Sequence, residues 1–461
     1  MYTRFKRIGK NLYAYQVEGY WDPEKKITRH KTKYLGKVID EKRKKFEKTF
    51  YKRHQEKAIL DFGDIHVVSS IYKMHKLHEI VRKSLGVYAD IAEMLVFNRI
   101  LNPLPMKSVY YWASNTYLSR TYDINILETQ NISRVLKEIG SEEMQRNFFS
   151  VYAKTFKQNE CNLFDITPLP TSMSNNLSAW GYSDSGIDFQ AKLALLVNKE
   201  CSMPVWFRIL PGNITDVNTL NTTIKEAVQL GLKANMLILD RGFFSDKNLS
   251  DLKESKIDFL MPIPSKTKLF NNMVEKYQKI EDNPACAFRL GKRILFGKHK
   301  KIKDMHIYVI LDPQRRAHER NELYTKKLLN PISKKKFEIQ RKRKGFMVLI
   351  SLKKMKPENA VSLYYTRDFV EKCFKYFKSD LAILPLRRHS ETTLAGYLLV
   401  NFIALALYLQ LRKTKLNMSL NDAFQILRGL KKKIYDDEEI VNEATKKQKE
   451  ILNSFGLHVP K

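Results

Sequence analysis

Residues 156–265 constrain the fold most, because their apolar pattern changes repeatedly between strand and helix periods. Short apolar runs predict strands, and segments with helical apolar spacing predict helices between them. The expected order is β-β-β-α-β-α-β, with elements at 162–166, 189–197, 205–210, 217–230, 236–239, 245–254 and 258–262. Because this order mixes hairpins with a crossover through a helix, it predicts an α/β sheet.

Two acidic residues stand where such a sheet would place reactive groups. Asp165 interrupts an otherwise apolar strand, where a charge is costly unless it is paired or bound to a metal. Asp240 directly follows the strand at 236–239, at the end where open α/β sheets form their crevice. Each residue alone also allows a structural role, as an edge position for Asp165 and as a helix cap or turn residue for Asp240.

A second group of polar residues lies in residues 361–380, whose pattern predicts one helix. At about 100° per residue, four polar side chains share a stripe about 60° wide: Tyr364, Arg367, Glu371 and Lys378. A phenol, a guanidinium, a carboxylate and an ammonium group suit a site that binds a metal ion and a phosphodiester. The alternative is a solvated helix face with an Arg367–Glu371 ion pair.

The net charge of +33 narrows the class of partner. The chain has 82 Lys and Arg residues against 49 Asp and Glu residues, with a pI near 9.7. Such an excess predicts a polyanionic partner, first a nucleic acid, with an anionic membrane surface as the competitor. The hydrophobic content of 43% is that of a globular protein and excludes a disordered polycation.

Cysteine usage and apolar segments predict a cytoplasmic protein. The four cysteines stand at least forty residues apart: Cys161, Cys201, Cys286 and Cys373. This spacing favours reduced thiols over a zinc site. The first residues contain no apolar segment, so we expect no signal peptide. Residues 394–411 approach the length of a membrane span but contain Asn401 and Gln410, so we predict a core helix and no membrane.

Shifts in composition divide the chain into parts. We expect a small basic β unit (1–54), a helical DNA-binding region (55–155), an α/β core (156–269 and 356–415), a β-rich basic insertion (270–355) and a C-terminal helical tail (416–461). The helical region has no specific helix-turn-helix signal, so its DNA-binding role follows from charge and position alone. Basic candidates for DNA binding outside the polar stripe are Arg241, Lys298, Lys300, Lys301, Arg341 and Arg343.

These features resemble the DDE transposases of bacterial insertion sequences, in the group with a ribonuclease-H-like core, a long β insertion and a Tyr-x2-Arg-x3-Glu-x6-Lys signature. The polar stripe of residues 364–378 matches that signature at every spacing. Residues 164–167 and 239–243 match the two acidic motifs. The resemblance covers roughly residues 155–411. It implies an α/β ribonuclease-H-like catalytic core with a β-rich insertion.

The resemblance also implies a catalytic site. Asp165, Asp240 and Glu371 would be the acidic triad and hold two divalent cations, Mg²⁺ with Mn²⁺ as a substitute. Tyr364, Arg367 and Lys378 would bind the phosphates of the DNA end.

The function implied is cut-and-paste transposition. Such an enzyme would bind inverted-repeat ends and target sites in double-stranded DNA, cleave by two-metal phosphoryl transfer and join 3′-hydroxyl ends. We expect a homodimer in the DNA complex, because two ends must be paired. Two alternatives stay open: a non-catalytic DNA-binding protein derived from a transposase, and a metal-dependent nuclease that does not join ends.

The hairpin-forming members of this group place a tryptophan of the insertion against a flipped base. No tryptophan lies in the predicted insertion here, so a hairpin intermediate is left open. Aromatic residues that could stack on the base instead are Phe288, Phe296, Tyr308, Phe337 and Phe346.

Overall fold

The structure is a computed structural model of the 461-residue chain. It describes residues 1–8, 11–23, 25–40, 45–47, 56–156, 160–173, 175–183, 186–214, 216–230, 234–330, 333–384, 386 and 390–460. The chain divides into two compact units, residues 1–58 with 433–439 and residues 59–432 with 440–461.

The first unit contains a four-stranded antiparallel sheet. Its strands are β1 (Tyr2–Ile8), β2 (Asn11–Asp22), β3 (Ile27–Asp40) and β4 (Lys45–Glu47), paired in chain order. A bulge interrupts the β2–β3 register between the pairs Ala14–Gly36 and Tyr15–Tyr34. Gly36 adopts a φ of 138° there. We expected β structure in this part of the chain, and the strand β3 continues past the bulge to Asp40.

The second unit begins with a helical region. After the strand β5 (Ala58–Asp61) come α1 (Gly63–Met74), α2 (Leu77–Leu85), α3 (Ala89–Leu101), α4 (Val109–Ser114), α5 (Leu118–Thr121), α6 (Thr129–Ile139) and α7 (Glu142–Ala153). The break between α6 and α7 is encoded locally, because the Ser141 hydroxyl accepts a hydrogen bond from the Met144 N–H and caps α7.

A ten-stranded mixed sheet forms the centre of this unit. Its strands are β6 (Glu160–Pro170), β7 (Ala179–Ser183), β8 (Gly186–Asn198), β9 (Met203–Pro211), β10 (Ala234–Ile238), β11 (Asp258–Pro262), β12 (Ala287–Leu290), β13 (Arg293–Ile302), β14 (Met305–Leu311) and β15 (Phe346–Ser351). The order is β12-β13-β14-β15-β11-β10-β6-β8-β7, with β9 also paired to β8. The strand β10 is parallel to both of its neighbours, β6 and β11. The other described strand pairs of this sheet are antiparallel. A mixed sheet of this kind fits the expected ribonuclease-H-like core.

The other helices of the second unit come after β9 in the chain, between the later strands and towards the C-terminus. They are α8 (Asp216–Gln229), α9 (Asp246–Glu254), α10 (Lys268–Lys276), α11 (Pro313–Leu329), α12 (Lys334–Arg343), α13 (Pro357–Tyr365), α14 (Asp368–Lys375), α15 (Glu391–Arg412), α16 (Leu420–Arg428) and α17 (Lys446–Ser454). The seven elements expected between residues 162 and 262 are all present, and the strand β7 is additional.

The expectation of a β-rich insertion at 270–355 is wrong in two respects. The helices α11 and α12, of 17 and 10 residues, occupy a large part of it. Its strands also do not form a separate sheet, because β15 pairs with β11 and so extends the central sheet. Both helices are dominated by charged residues, so they lack the apolar periodicity from which a helix is predicted.

The single helix expected at 361–380 is also wrong. Between α13 and α14, the N–H groups of Thr366 and Arg367 donate to carbonyls only three residues back. After α14 the chain widens into a π-helical turn, Tyr376–Asp380, where the Leu381 N–H donates to the Tyr376 carbonyl. The segment is therefore three short pieces with different periods. Its apolar sector is still buried, at Val370, Cys373, Phe374 and Phe377.

The helix α15 lies in the hydrophobic core. Among the described residues it is the one helix long and apolar enough to cross a membrane, by length and composition only. Of its apolar window 89% is buried inside the protein. The expectation of a core helix at 394–411 is therefore confirmed.

Two glycines allow α6 and α15 to pack in close contact. A Cβ atom on Gly396 would lie 1.9 Å from the Leu136 carbonyl oxygen, and one on Gly140 would lie 1.8 Å from the Thr392 carbonyl oxygen. One hydrophobic cluster includes the helical region, the sheet and α15. The boundary expected at residue 155 therefore does not separate two cores.

The C-terminal part is not purely helical. Besides α16 and α17 it contains the short strands β16 (Lys431–Ile434) and β17 (Glu439–Val441). The expected helical tail at 416–461 is thus correct only for its two helices.

Candidate active site

The register of the central sheet brings two of the expected acids together. In the parallel pair β6–β10, Leu163 lies opposite Ile238. Asp165 and Asp240 each follow two residues later, so they lie at the same level and point to the same side of the sheet. Asp240 is extended (φ −77°, ψ 164°), and its side chain makes no capping bond to the short 3₁₀ helix that follows. The helix-cap role considered for Asp240 is therefore wrong.

The guanidinium group of Arg367 joins all three expected acids. Its Nη1 donates to Asp165 Oδ2 at 2.8 Å. Its Nη2 lies 2.5 Å from Glu371 Oε1 and 3.8 Å from Asp240 Oδ1. The Arg367 side chain is only 16% exposed. The solvated Arg367–Glu371 pair considered from the sequence does exist, but it is one of three contacts made by a half-buried cation.

Burial shifts the protonation of this cluster. It raises the pKa of Asp165 to about 7, against the opposing attraction of Arg367, and the charges of Asp240 and Glu371 act in the same direction as burial. Burial acts to lower the pKa of Arg367, but Asp165 and the other acids outweigh it and raise that pKa. The arginine therefore stays charged while the aspartate next to it titrates near neutral pH.

The other two residues of the polar stripe also reach the site. The Tyr364 hydroxyl donates to Asp240 Oδ1 at 3.4 Å, and burial, with Asp240, raises the pKa of Tyr364 to about 12. Lys378 Nζ donates to Thr167 Oγ1 at 2.8 Å. Thr167 lies two residues after Asp165 on β6 and so shares its face. Thr167 is a site residue that was not predicted, and its i+2 spacing from Asp165 is the sequence signal by which it can be found.

The remaining basic candidates lie elsewhere on the second unit. Arg241 is exposed next to Asp240, and Lys298, Lys300 and Lys301 lie on β13, where a hydrogen bond with Lys276 lowers the pKa of Lys300. On α12, Arg341 pairs with Glu338 at 2.8 Å, and Arg343 donates to Asn271 Oδ1. Within the described part of the chain, no hydrogen bond or ion pair joins these six residues to the three acids.

Three aromatic residues of the 270–355 segment are unsuited to stacking on a base. Tyr308, Phe337 and Phe346 are buried. Phe288 and Phe296 are half-buried and keep part of their rings accessible.

The chemistry of the acids fits a divalent cation. Three carboxylates supply the hard oxygen donors that Mg²⁺ and Mn²⁺ prefer. Over the described ranges, however, no group of three or more His, Cys, Asp or Glu side chains is arranged to hold a metal ion. The Arg367 guanidinium lies between the carboxylates. Its single positive charge does not balance three carboxylates when all are ionised, and this electrostatic condition favours a divalent cation.

One comparison with known proteins identifies a family. The family model described as the transposase DDE domain matches residues 158–407, more than half of the chain. No curated protein matches the chain.

Two solved structures resemble the fold weakly. One is a cryo-EM structure of the piggyBac transposase synaptic complex with hairpin DNA, at 10% identity, covering 79% of this chain and 77% of that chain with a TM-score of 0.42. The other is the Drosophila P element transposase strand transfer complex, at 11% identity, 64% and 86% coverage and a TM-score of 0.16. Both TM-scores lie below 0.5, so only the family match bears on identity.

Proposed function

The chain belongs to the transposase DDE family, and from this premise we propose that it is an active transposase of an insertion sequence. It binds the ends of its element, cleaves the DNA and joins 3′-hydroxyl ends to target DNA. The reaction is phosphoryl transfer in the cytoplasm.

One observation carries this proposal. Asp165, Asp240 and Glu371 come from a strand, a strand end and a helix, yet all three contact one guanidinium group. A structural role explains one or two such contacts, but it does not explain why two half-buried aspartates and one exposed glutamate share one compensating charge. A site that exchanges this charge for divalent cations explains all three.

The three carboxylates would hold Mg²⁺, with Mn²⁺ as a substitute. When bound, two such ions would activate a water molecule or a 3′-hydroxyl and stabilise the leaving oxygen. Asp165 is the least exposed of the three acids, whereas Asp240 and Glu371 stay open to solvent, from which metal ions and DNA would enter. The acids thus position the reacting groups, and the sheet fixes their spacing.

The basic residues next to the acids would bind the DNA end. Arg367 can turn from the carboxylates to a phosphate, which its planar group binds through two hydrogen bonds. Tyr364 and Lys378 flank it and add a hydroxyl and a point charge. Arg241, next to Asp240, would contact the DNA near the cut, and Lys298, Lys300, Lys301, Arg341 and Arg343 would contact it further away. Pairing of two ends calls for a homodimer in the DNA complex.

The test uses purified full-length protein, DNA carrying the two ends of its element, target plasmid and MgCl₂. Joined products support the proposal, cut ends without joining favour a nuclease, and binding alone favours a non-catalytic protein. Asp240→Asn should abolish cleavage and leave end binding within about twofold. Asp246→Asn, an exposed acid at the start of α9, is the matched control and should cut normally. Cleavage by Asp240→Asn at the wild-type rate would refute the assignment of the acids.

A further inference from the structure

The β2–β3 hairpin extends beyond the rest of its sheet. The strand β1 pairs with β2 only from Asn11 to Val17, and β4 pairs with β3 only from Lys37 to Asp40. Residues 18–22 and 27–31 pair only with each other among the described strands; we call them the ribbon tip. Every residue of the ribbon tip is exposed except Asp22, which is half-buried. It is thus a two-stranded ribbon with solvent on both faces.

The ribbon tip carries large apolar side chains on this exposed surface. Trp21 is 61% exposed, Tyr20 47% and Ile27 49%. Tyr20 and Trp21 are adjacent on one strand and therefore point to opposite faces. A two-stranded hairpin is marginally stable in water, and an exposed cluster of this kind marks an interaction site. Because both faces carry an aromatic ring, the partner should surround the ribbon rather than cover one side.

The charge of this unit decides what the partner is. Residues 1–58 contain 18 Lys and Arg residues against 7 Asp and Glu residues, a net charge of +11 out of +33 for the chain. Within the ribbon tip, Arg29 is paired with Asp22 at 3.1 Å. Lys25 and Lys26 at its turn, and Lys31 on β3, form no ion pair with the described residues. The partner is therefore a polyanion.

We propose that the ribbon tip inserts into a groove of duplex DNA, with Tyr20 and Trp21 facing opposite walls and the lysines on the flanking phosphates. The major groove is about 12 Å wide and admits a two-stranded β-ribbon. Five residue pairs extend about 17 Å, enough to follow the groove for several base pairs. The proposal rests on the proposed function, because it names the DNA-binding element of the same enzyme.

The first experiment measures salt dependence. Full-length protein is titrated with a fluorescent 30-base-pair duplex at several KCl concentrations, and the slope of log affinity against log salt is determined. Lys25→Ala/Lys26→Ala/Lys31→Ala should reduce the slope by about 2 to 3 and weaken binding at least about tenfold at 0.1 M salt. The matched control, Lys446→Ala/Lys447→Ala/Lys449→Ala on α17, removes the same charge from exposed positions. Equal effects of both triple variants would overturn the proposal.

A second measurement does not depend on the stability of the hairpin. Trp112 and Trp206 are buried, so in a Trp180→Phe background Trp21 is the exposed tryptophan of the chain. Its fluorescence should become protected from acrylamide when duplex DNA is added. Unchanged quenching, or equal protection by a single strand of the same length, would overturn groove insertion. Both readouts need neither metal nor cleavage, so an inactive enzyme would refute the proposed function and leave this result standing.

Discussion

Arg367 donates a hydrogen bond to Asp165 across 2.8 Å, although the two residues are 202 positions apart in the chain. The same guanidinium contacts Glu371, one turn later on its own segment. Without this cation, three ionised carboxylates would repel each other across the crevice. The arginine therefore serves as the counterion of the acidic cluster when no divalent cation is bound.

Replacement of this counterion should make the protein depend more on metal. Arg367→Gln is expected to lower the melting temperature in EDTA. The rise in melting temperature on adding 10 mM MgCl₂ should be at least about twofold larger in this variant than in wild type. The reason is that the ion no longer has to displace a guanidinium group. Differential scanning fluorimetry measures both values. Arg241→Gln, an exposed arginine next to Asp240, is the control. An identical magnesium response in wild type and Arg367→Gln would contradict the counterion role.

The raised pKa of Asp165 predicts a pH-dependent stability in EDTA. Because the pKa is about 7 in the folded protein and 3.8 in the unfolded chain, the folded state binds the proton more tightly. The contribution of Asp165 to stability is thus greatest below pH 4 and is lost as the pH rises to about 7. Asp165→Asn cannot ionise, so its melting temperature relative to wild type should increase by about 5 °C between pH 4.5 and 8. The control Asp368→Asn should show no such change between the two pH values. A melting-temperature difference between Asp165→Asn and wild type that is constant with pH would contradict this account.

Lys378 and Lys372 allow a paired test of DNA-end binding. Lys378 points to Thr167 beside Asp165, whereas Lys372 forms an exposed pair with Asp368 on α14. Lys378→Ala should weaken binding of the element's end by about fivefold to tenfold, because a charge-assisted phosphate contact is lost. Lys372→Ala should change it by less than twofold, since exposed ion pairs contribute little. Electrophoretic mobility shifts in EDTA measure both affinities. Equal losses in the two variants would contradict a direct contact between Lys378 and the DNA end.

The contact between α6 and α15 should be intolerant of a single methyl group. Gly396→Ala places a Cβ where the Leu136 carbonyl oxygen leaves no room, so we expect a loss of about 1–3 kcal/mol in the free energy of unfolding. Gly429→Ala is the control, because the nearest atoms to its Cβ lie at 3.3 Å. Urea denaturation measures both. A Gly396→Ala protein as stable as wild type would show that the two helices can separate without cost.

The two aspartates and the polar stripe could be found from the sequence because each has a local signal. Asp165 is a charge within an apolar strand, and Asp240 follows the last residue of another. Tyr364 and Lys378, the first and last residues of the stripe, both contact the site in the structure. These signals depend on neighbouring residues only, and the prediction that the three acids form one site came from the family resemblance.

The two wrong predictions, the single helix at 361–380 and the separate insertion at 270–355, have a different origin. No glycine or proline occurs at residues 358–380, so nothing local indicates that the helix changes period twice. The change accompanies contacts of Arg367 and Lys378 with a strand about 200 residues earlier. The pairing of β15 with β11 likewise joins Leu260 to Ser351. The apolar periodicity of a strand does not specify which distant strand it pairs with.

The register of β6 and β10 has a consequence for how the site can move. Asp165 lies within the β6–β8 ladder, so its position cannot change unless the sheet opens, whereas Asp240 lies two residues beyond the last β6–β10 pair. Glu371 lies on α14, which shares no ladder with either strand. The sheet therefore holds Asp165 most firmly, while Asp240, Glu371 and the Arg367 side chain between the acids can move without breaking a strand pairing.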